Sequence, residues 1–569
     1  MADGKQRFLR DAWRLAWPYF KSEERWVARG LLTAVIVLSL LSVALNVRFN
    51  TWYKEFYDAL QNLDEHEFWK QIAIFSGLAA VNIGVGVYQV YLTQMLQIRW
   101  RRWLTRRYLD AWLSHRAYYR MQLDANATDN PDQRISDDLE RFTRQSLALS
   151  VGPSSFMSAI VTFFSFLTVL WTISGSLDIP LGSLGSITIP GYMVWVALIY
   201  AVGGTWLTLK IGRPLVPLSF AQQRFEANFR FSLVRLRENT ESIAFYRGEA
   251  REHGIFDTRF GQLLENFWRI MKRQKLINWF SSSYGQIAII FPYFVAAPRY
   301  FAKEIQMGDL VQIGNTFNQL QTSLSFIVNN YAEIAEFQSV VQRLTTFEER
   351  AREIATRAEE PQAIDIDRSG EGLSVENLAL DLPDGTRLRS DVTLDVEPQS
   401  AVLISGPTGS GKSTFLRAVS GLWPFGKGRI RLGSGTALFL PQKPYLPLGT
   451  LRNAILYPNA ADTVADHELA EALDSVGMGA IGSELDTEDN WSLRLSLGEQ
   501  QRLAFARVLL LRPSLVFLDE ASSALDEPAE ARLYKLLRDA PWHPTLVSVG
   551  HRSTLREFHD KVFELAPAA

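Results

Sequence analysis

The chain has 569 residues, 47% hydrophobic and 12% aromatic, which suffices for several domains and excludes one small fold. Lys and Arg number 59 against 61 Asp and Glu, a formal net charge of -2, so the global basic excess of a nucleic-acid binder is absent and no nucleic-acid partner is expected. With no cysteine, a disulfide framework, a cysteine-ligated zinc site, an iron-sulfur cluster and a thiol nucleophile are all excluded.

A mean hydropathy of -0.03 hides an uneven distribution, with the apolar residues concentrated in the first two thirds. From Trp13 to Arg29, Trp13, Trp17, Phe20 and Trp26 stand among Lys and Arg, which suits a helix lying at a membrane interface. The apolar block Leu31 to Val47 follows and, with its flanks, is long enough to span a bilayer. A cleaved signal peptide is the rival reading. No small-residue cleavage site follows, however, and the helical pattern runs on through Asn46 to Tyr53, so an uncleaved first span is expected.

Further candidate spans occupy Ile72 to Val90, Ser154 to Thr172, Tyr192 to Leu209, Ile287 to Phe301 and, more weakly, Leu310 to Phe337, six in all. In the last, Asn315, Asn318, Gln319, Gln321, Asn329, Asn330, Glu333 and Glu336 interrupt the apolar run. Polar groups at membrane depth face a bundle interior or a water-filled cavity, which makes this helix the expected wall of a translocation path. An amphipathic soluble helix is the alternative.

Positive charge orients the spans. Arg99 to Arg107 follows the second, and Arg213, Arg224, Arg230, Arg235, Arg237, Lys272, Arg273 and Lys275 follow the fourth, so both connections are expected in the cytoplasm, as long helical extensions. Gly175 to Pro190 has no Lys or Arg and reads as an external loop. Both termini are then cytoplasmic. The charged run Glu348 to Pro361 marks a boundary. Beyond it, Ala401 to Ser405, Ala437 to Leu440, Leu515 to Leu518 and Leu546 to Val549 read as buried parallel strands alternating with helices. The expected division is an all-helical membrane domain over 1–347, a linker over 348–372 and an α/β domain over 373–569.

The strand at Ala401 runs into Gly406, Pro407, Thr408, Gly409, Ser410, Gly411, Lys412, Ser413 and Thr414, a phosphate-binding loop in its required strand, loop, helix context. Glycines let the backbone close around phosphate oxygens, the helix N-terminus adds positive potential, Lys412 reaches the β- and γ-phosphates, and Ser413 suits Mg²⁺. Four apolar residues end in Asp519 and Glu520, placing two acids at the C-terminal edge of a buried strand, where α/β proteins bind ligands. Asp519 suits the metal, and Glu520 suits polarising the attacking water.

Between these motifs, Leu495-Ser-Leu-Gly-Glu-Gln-Gln-Arg502 resembles the signature of ATP-binding-cassette (ABC) proteins. The family's other stations occur in order: Gln442 at the Q-loop, Ser523 to Asp526 at the D-loop and His551 at the switch histidine. The resemblance implies ATP as cofactor with Mg²⁺ on Ser413, Gln442 and Asp519, catalysis by Glu520 with His551 and Gln442, and a sandwich in which Ser496 and Gly498 act across a homodimer, with Glu499 and Asp526 also among the nucleotide-binding residues. Leu497 and Glu499 depart from the usual Gly and Gln. Leu382 stands where many cassettes stack an aromatic on adenine, and it offers apolar contact only.

Phe49 to Gln61, Asn130 to Ile135 and Pro292 to Gly308 resemble the SbmA/BacA-like permease domain, and the whole chain is similar to the bacterial YddA-type proteins related to ABC subfamily D. Glu226 to Glu241 is similar to the subfamily D loop that contacts the cassette. For Asn130 to Ile135, a helix N-cap turn is an equally good account. The resemblance implies an ATPase-coupled half-transporter of the bacterial inner membrane that acts as a homodimer on peptides or cobalamin-like hydrophilic solutes, with import expected. An exporter of lipid-like or acyl substrates and a membrane-tethered regulatory ATPase are the alternatives.

Overall fold

Apolar runs of this length leave no water for the backbone groups, a condition that the α-helix meets from within. In a computed structural model, which describes residues 2–123, 131–153, 155–180, 186–326, 330–360, 363–460 and 463–565, the membrane-type half is helical apart from one hairpin. The chain divides into two units, one of Met1–Ala111 with Asn130–Glu349 and one of Trp112–Asp129 with Arg350–Ala569.

The helices in chain order are α1 (Ala2–Ala16), α2 (Arg25–Gln61), α3 (Glu65–Leu113), α4 (Ala117–Leu123), α5 (Leu139–Ser150) and α6 (Phe156–Ser174). The hairpin β1 (Ser176–Pro180) and β2 (Ser186–Pro190) follows, then α7 (Tyr192–Gly212), α8 (Leu215–Glu238), α9 (Thr240–Tyr246), α10 (Glu249–Phe301), α11 (Met307–Leu324) and α12 (Tyr331–Glu359). The middle of the expected external loop, 181–185, lies outside the described residues, as do Asn130 and Ser154. At 53 residues α10 is about 80 Å long against a hydrocarbon core of about 30 Å, so most of it projects beyond a bilayer.

Among the described residues, four stretches are long and apolar enough to cross a membrane: Arg25–Gln61, Glu65–Leu123, Phe156–Ser174 and Tyr192–Glu238. They carry the first four expected spans. The fifth occupies the C-terminal end of α10. The sixth, expected as one helix, is described as α11, which ends at Leu324 with Ser325 as its cap, and α12; 327–329 between them lie outside the described residues. Helix α11 packs against α2, α6, α7 and α10, burying Ile313, Phe317 and Leu320 beside Leu170, Met193 and Ala296. Its buried Thr316 accepts from Asn50 Nδ2 at 2.7 Å, which offsets part of the desolvation cost of the two polar side chains.

Two features of this unit differ from the sequence reading or escape it. Phe20, expected at the membrane interface, is buried with Tyr19 against Trp100, whereas Trp13, Trp17 and Trp26 remain exposed. Asp138 is buried and held by three hydrogen bonds, from Arg343 Nε at 2.8 Å, Arg343 Nη2 at 2.6 Å and Arg134 Nη1 at 3.0 Å.

In the second unit, the near-continuous apolar runs form a parallel sheet. Its strands are β6 (Ala401–Ser405), β8 (Ala437–Leu440), β9 (Leu515–Asp519), β10 (Thr545–Val549) and β11 (Lys561–Glu564), in spatial order 11-6-10-9-8. A second sheet has order 3-7-4-5, from β3 (Ile364–Gly370), β4 (Leu373–Asp381), β5 (Arg387–Val396) and β7 (Gly426–Gly433). It is antiparallel at β4, and β3 lies within the 348–372 segment. Residues 112–123 belong to this unit through Arg116, which donates to the Ser420 carbonyl at 3.2 Å, and through Leu123, packed like Ile366 against the core that includes Val402 and Ile404 of β6.

Candidate nucleotide site

Strand β6 ends at Ser405, and the chain turns through Gly406 at φ +151°, Gly409 at +80° and Gly411 at +87° into α13 (Lys412–Val419). The first of these turns has no room for a side chain, since a β-carbon on Gly406 would lie 2.6 Å from the Leu565 carbonyl oxygen. Pro407 and Gly406 present their carbonyls inward, where Lys412 Nζ donates to them at 2.9 and 2.8 Å. Burial pushes the Lys412 ammonium below its usual range, while Glu520 and Asp519 favour its charged form. Thr408 is exposed at the loop's crest, and Thr414 lies in the first turn of α13.

Parallel pairing of β9 with β10 and β8 brings Asp519 and Glu520 to the same edge as the loop. Ser413 Oγ donates to Asp519 Oδ1 at 3.1 Å. Burial raises the Asp519 carboxyl, with Glu520 adding to the shift and Ser413, Arg417 and Lys412 opposing it. Glu520 adopts a left-handed φ of +50°, a strained conformation for a carboxylate residue and one that clusters at functional sites. Gln442 Nε2 donates to Glu520 Oε2 at 3.1 Å, and His551 Nε2 lies 3.3 Å from Glu520 Oε1.

These residues fit a nucleotide triphosphate. The buried Ser410 hydroxyl has no partner within the loop, so a donor is left over for a ligand, and Lys412 stands among acceptors that phosphate oxygens can replace. Ser413 with Asp519 supplies the hard oxygen pair that suits Mg²⁺. Leu382 is half-buried against the β-sheet core, in a turn where its N-H donates to the Thr386 carbonyl.

The signature residues gather separately. Ser496 caps α14 (Leu497–Leu511) in a reciprocal box with Glu499: the Ser496 N-H and hydroxyl donate to Glu499 Oε2 at 2.9 and 2.7 Å. Those bonds hold the Glu499 carboxyl below its usual range. Gly498 abuts the Ala524 carbonyl oxygen, 3.1 Å from where a β-carbon would sit. Asp526 caps α15 (Glu527–Arg538) by accepting from Ala529 N at 3.0 Å. The described contacts of Ser496, Gly498, Glu499 and Asp526 therefore lie with one another's segments and not with the phosphate loop.

Three positioning residues escape the sequence reading. Arg389, buried on β5, grips the Ser410 carbonyl with Nε at 2.7 Å and Nη2 at 2.5 Å. Gln501, fully buried, donates to the Gln442 carbonyl at 2.8 Å and accepts from Ala524 N at 3.0 Å, joining the Q-loop to the D-loop. Glu530 accepts from the Ser522 hydroxyl at 2.5 Å and lies 3.4 Å from Arg552, next to His551. A charge or amide inside a buried stretch is the signal for each, but its partner depends on the fold.

An α/β cassette with this loop, acid pair and signature, fused to a helical membrane domain, defines an ATP-driven membrane transporter. Residues 15–301 match the family of ABC transporter transmembrane region 2, and residues 389–523 match the ABC transporter family. A Haemophilus influenzae protein described as an uncharacterized ABC transporter ATP-binding protein is 36% identical over 93% of this chain and 87% of its own length. The inner membrane ABC transporter ATP-binding protein YddA of Escherichia coli is 30% identical over 94% of each chain. The human lysosomal cobalamin transporter ABCD4 is 28% identical over 94% of this chain and 91% of its own. The structure of a bacterial Atm1-family ABC exporter with ATP bound shares the fold, with a TM-score of 0.73 at 20% identity over 95% of each chain. The chain belongs to the ABC transporter family, is related to subfamily D and to YddA, and carries an ATPase coupled to transport.

Proposed function

We propose that the chain is a half-transporter of a bacterial inner membrane that works as a homodimer, with both termini cytoplasmic, and imports peptides or cobalamin-like hydrophilic solutes. The observation that carries this is the joining of two things in one chain: the Lys412, Ser413, Asp519 and Glu520 cluster, and a bundle whose helices are apolar enough to cross a membrane. YddA, named as an inner membrane protein, supports the location, and ABCD4, named as a cobalamin transporter, supports the cargo class. The SbmA/BacA-like character of Phe49 to Gln61 and Pro292 to Gly308 supports the peptide alternative. The division into a membrane domain over 1–347, a linker over 348–372 and a cassette over 373–569 is part of this reading.

In this mechanism Mg²⁺-ATP supplies the phosphoanhydride whose hydrolysis drives the cycle. Lys412 and the loop amides bind its phosphates, with Gly406 to Thr414 wrapped close around them. Ser413, Asp519 and Gln442 would hold the metal. Glu520 accepts the proton of the attacking water on its carboxylate, and Gln442 and His551 orient that carboxylate from either side. Ser496 and Gly498 of a second copy would close over the nucleotide, with Asp526 beside them, so that closure of the pair is favoured by ATP and released after hydrolysis.

The test is uptake into reconstituted vesicles with a peptide and a corrinoid, comparing wild type with Glu520→Gln. ATP-driven uptake by wild type alone is the expected result. Equal uptake by both refutes the coupling, and movement in the opposite sense refutes import.

A further inference from the structure

His551 is exposed, and the contact described for its ring is the one to Glu520, so its place is set by the backbone on either side. Upstream, the Glu520 N-H donates to the Val549 carbonyl at 3.0 Å, tying the end of β10 to the residue after β9. Downstream, Arg552 Nη1 donates to the Leu525 carbonyl at 2.8 Å and Nη2 to the Ser523 carbonyl at 3.2 Å. Both carbonyls belong to the turn that follows Glu520. That turn is itself fixed: the Ser523 N-H donates to the Glu520 carbonyl at 3.0 Å, and buried Gln501 accepts from Ala524 N at 3.0 Å and donates to Ser523 Oγ at 3.2 Å. On the inner side of Arg552 lies Glu530 of α15, 2% exposed, with Oε2 3.4 Å from Arg552 Nη1 and Oε1 accepting from the Ser522 hydroxyl at 2.5 Å. A carboxylate buried this deeply is costly without a paired cation, so Glu530 fixes where the guanidinium sits, and the planar fork reaches two carbonyls at once.

We propose that Arg552 is a positioning residue for ATP hydrolysis: seated on Glu530, it pins the segment after β10 to the turn after β9 and so keeps His551 in reach of the Glu520 carboxylate. The described bonds of its guanidinium go to Leu525, Ser523 and Glu530 and not to the phosphate loop, so it acts through His551 and not on the nucleotide. The proposal rests on the roles given above to Glu520 and His551. It assigns the charge of Arg552 to Glu530 and its directionality to the two carbonyls, and a lysine would satisfy only the first of these.

Phosphate release at saturating ATP and the Kd for a fluorescent ATP analogue, both on the full chain in phosphatidylcholine nanodiscs, test this. Arg552→Gln is expected to lower the maximal rate about tenfold at unchanged Kd, since loosening one arm of the clamp costs less than the 10²- to 10⁴-fold of a positioned base. That variant also leaves the Glu530 charge buried without its cation and loses stability. Arg552→Lys keeps the charge and not the fork, so it is expected to melt with wild type and still to lose about fivefold in maximal rate. The loss should vanish when Arg552→Lys is added to His551→Ala, because a residue acting only through His551 has nothing left to position, whereas independent effects multiply. Wild-type kinetics in Arg552→Lys, a raised Kd at unchanged maximal rate, or a loss that persists in full on the His551→Ala background overturns the proposal. Glu520→Gln on the same preparation keeps the two readings apart. Wild-type turnover there defeats the base assigned to Glu520 together with the pin that serves it; turnover lost there and kept in Arg552→Lys defeats the pin alone.

Discussion

His551 Nε2 lies 3.3 Å from Glu520 Oε1, and the other oxygen of the same carboxylate accepts from Gln442 at 3.1 Å. A base clamped on both oxygens keeps its orientation even though its backbone is strained, with Glu520 φ at +50°. Replacing the carboxylate by an amide keeps the shape and the bond to Gln442 while removing the proton acceptor. Glu520→Gln is therefore expected to bind ATP as wild type does and to lower turnover by about 10²- to 10⁴-fold, the range for a positioned general base. Phosphate release and nucleotide binding, measured on the same preparation, separate the two effects. Loss of binding would remove Glu520 from the catalytic role.

Arg389 acts on the loop from beneath. Its guanidinium makes two hydrogen bonds to the Ser410 carbonyl from a buried position, and truncation would leave that carbonyl unpaired. Hydrogen bonds to charged groups are worth about 1.5–3 kcal/mol, so Arg389→Ala should weaken ATP binding by about 10- to 100-fold with little change in turnover at saturation. Titration with a fluorescent ATP analogue reads the first quantity. A lowered maximal rate at unchanged affinity would contradict the assignment.

The signature departs from its family pattern at Glu499, and the geometry gives the departure a consequence. Ser496 donates its hydroxyl proton to the Glu499 carboxylate at 2.7 Å, and a charged acceptor holds a proton about twice as strongly as a neutral one. Under the homodimer reading the same hydroxyl is needed across the nucleotide, so Glu499 opposes closure. Glu499→Gln is expected to raise ATP turnover by about fivefold, corresponding to about 1 kcal/mol. Unchanged turnover would show that the cap costs the cycle nothing.

Contiguous motifs are legible in the amino-acid sequence because their chemistry is local: Gly406 to Thr414 and Asp519 with Glu520 sit in strand-and-turn contexts that four or five apolar neighbours announce. The parallel strands are readable for the same reason. The antiparallel sheet is not, since Leu373–Asp381 and Arg387–Val396 alternate imperfectly and shift register more than once along their pairing. Phe20 is misplaced by its pattern because an aromatic among cations reads as interfacial, while its burial depends on Trp100, some 80 residues away. Arg389 and Gln501 are single polar residues whose partners lie far off in the chain, as is Asp138 with respect to Arg343, and only tertiary contact distinguishes them from solvated neighbours. The docking of Arg116 and Leu123 on the cassette unit likewise has no compositional mark.

The cassette also carries a titratable group that its chemistry does not use. His559 is buried, with Nδ1 2.7 Å from the Leu555 carbonyl and Nε2 2.8 Å from Ser548 Oγ, so the neutral ring donates from Nδ1 and accepts at Nε2. Burial pushes its pKa down; the Leu555 carbonyl and Asp560 favour the charged form, and Arg538 adds to the lowering. A histidine depressed in the folded state binds its proton first in the unfolded chain, so stability rises with pH across the window between the two values. That contribution is fully present above the ordinary histidine value of about 6.5 and is lost as pH falls through the lower folded value. The melting temperature of the purified chain should therefore hold steady from about pH 8 to 7 and fall as the pH drops below about 6.5. His559→Gln, which titrates nowhere in that range, should flatten the fall even if it lowers the melting temperature at neutral pH. A slope unchanged by the substitution would place the acid sensitivity elsewhere in the protein.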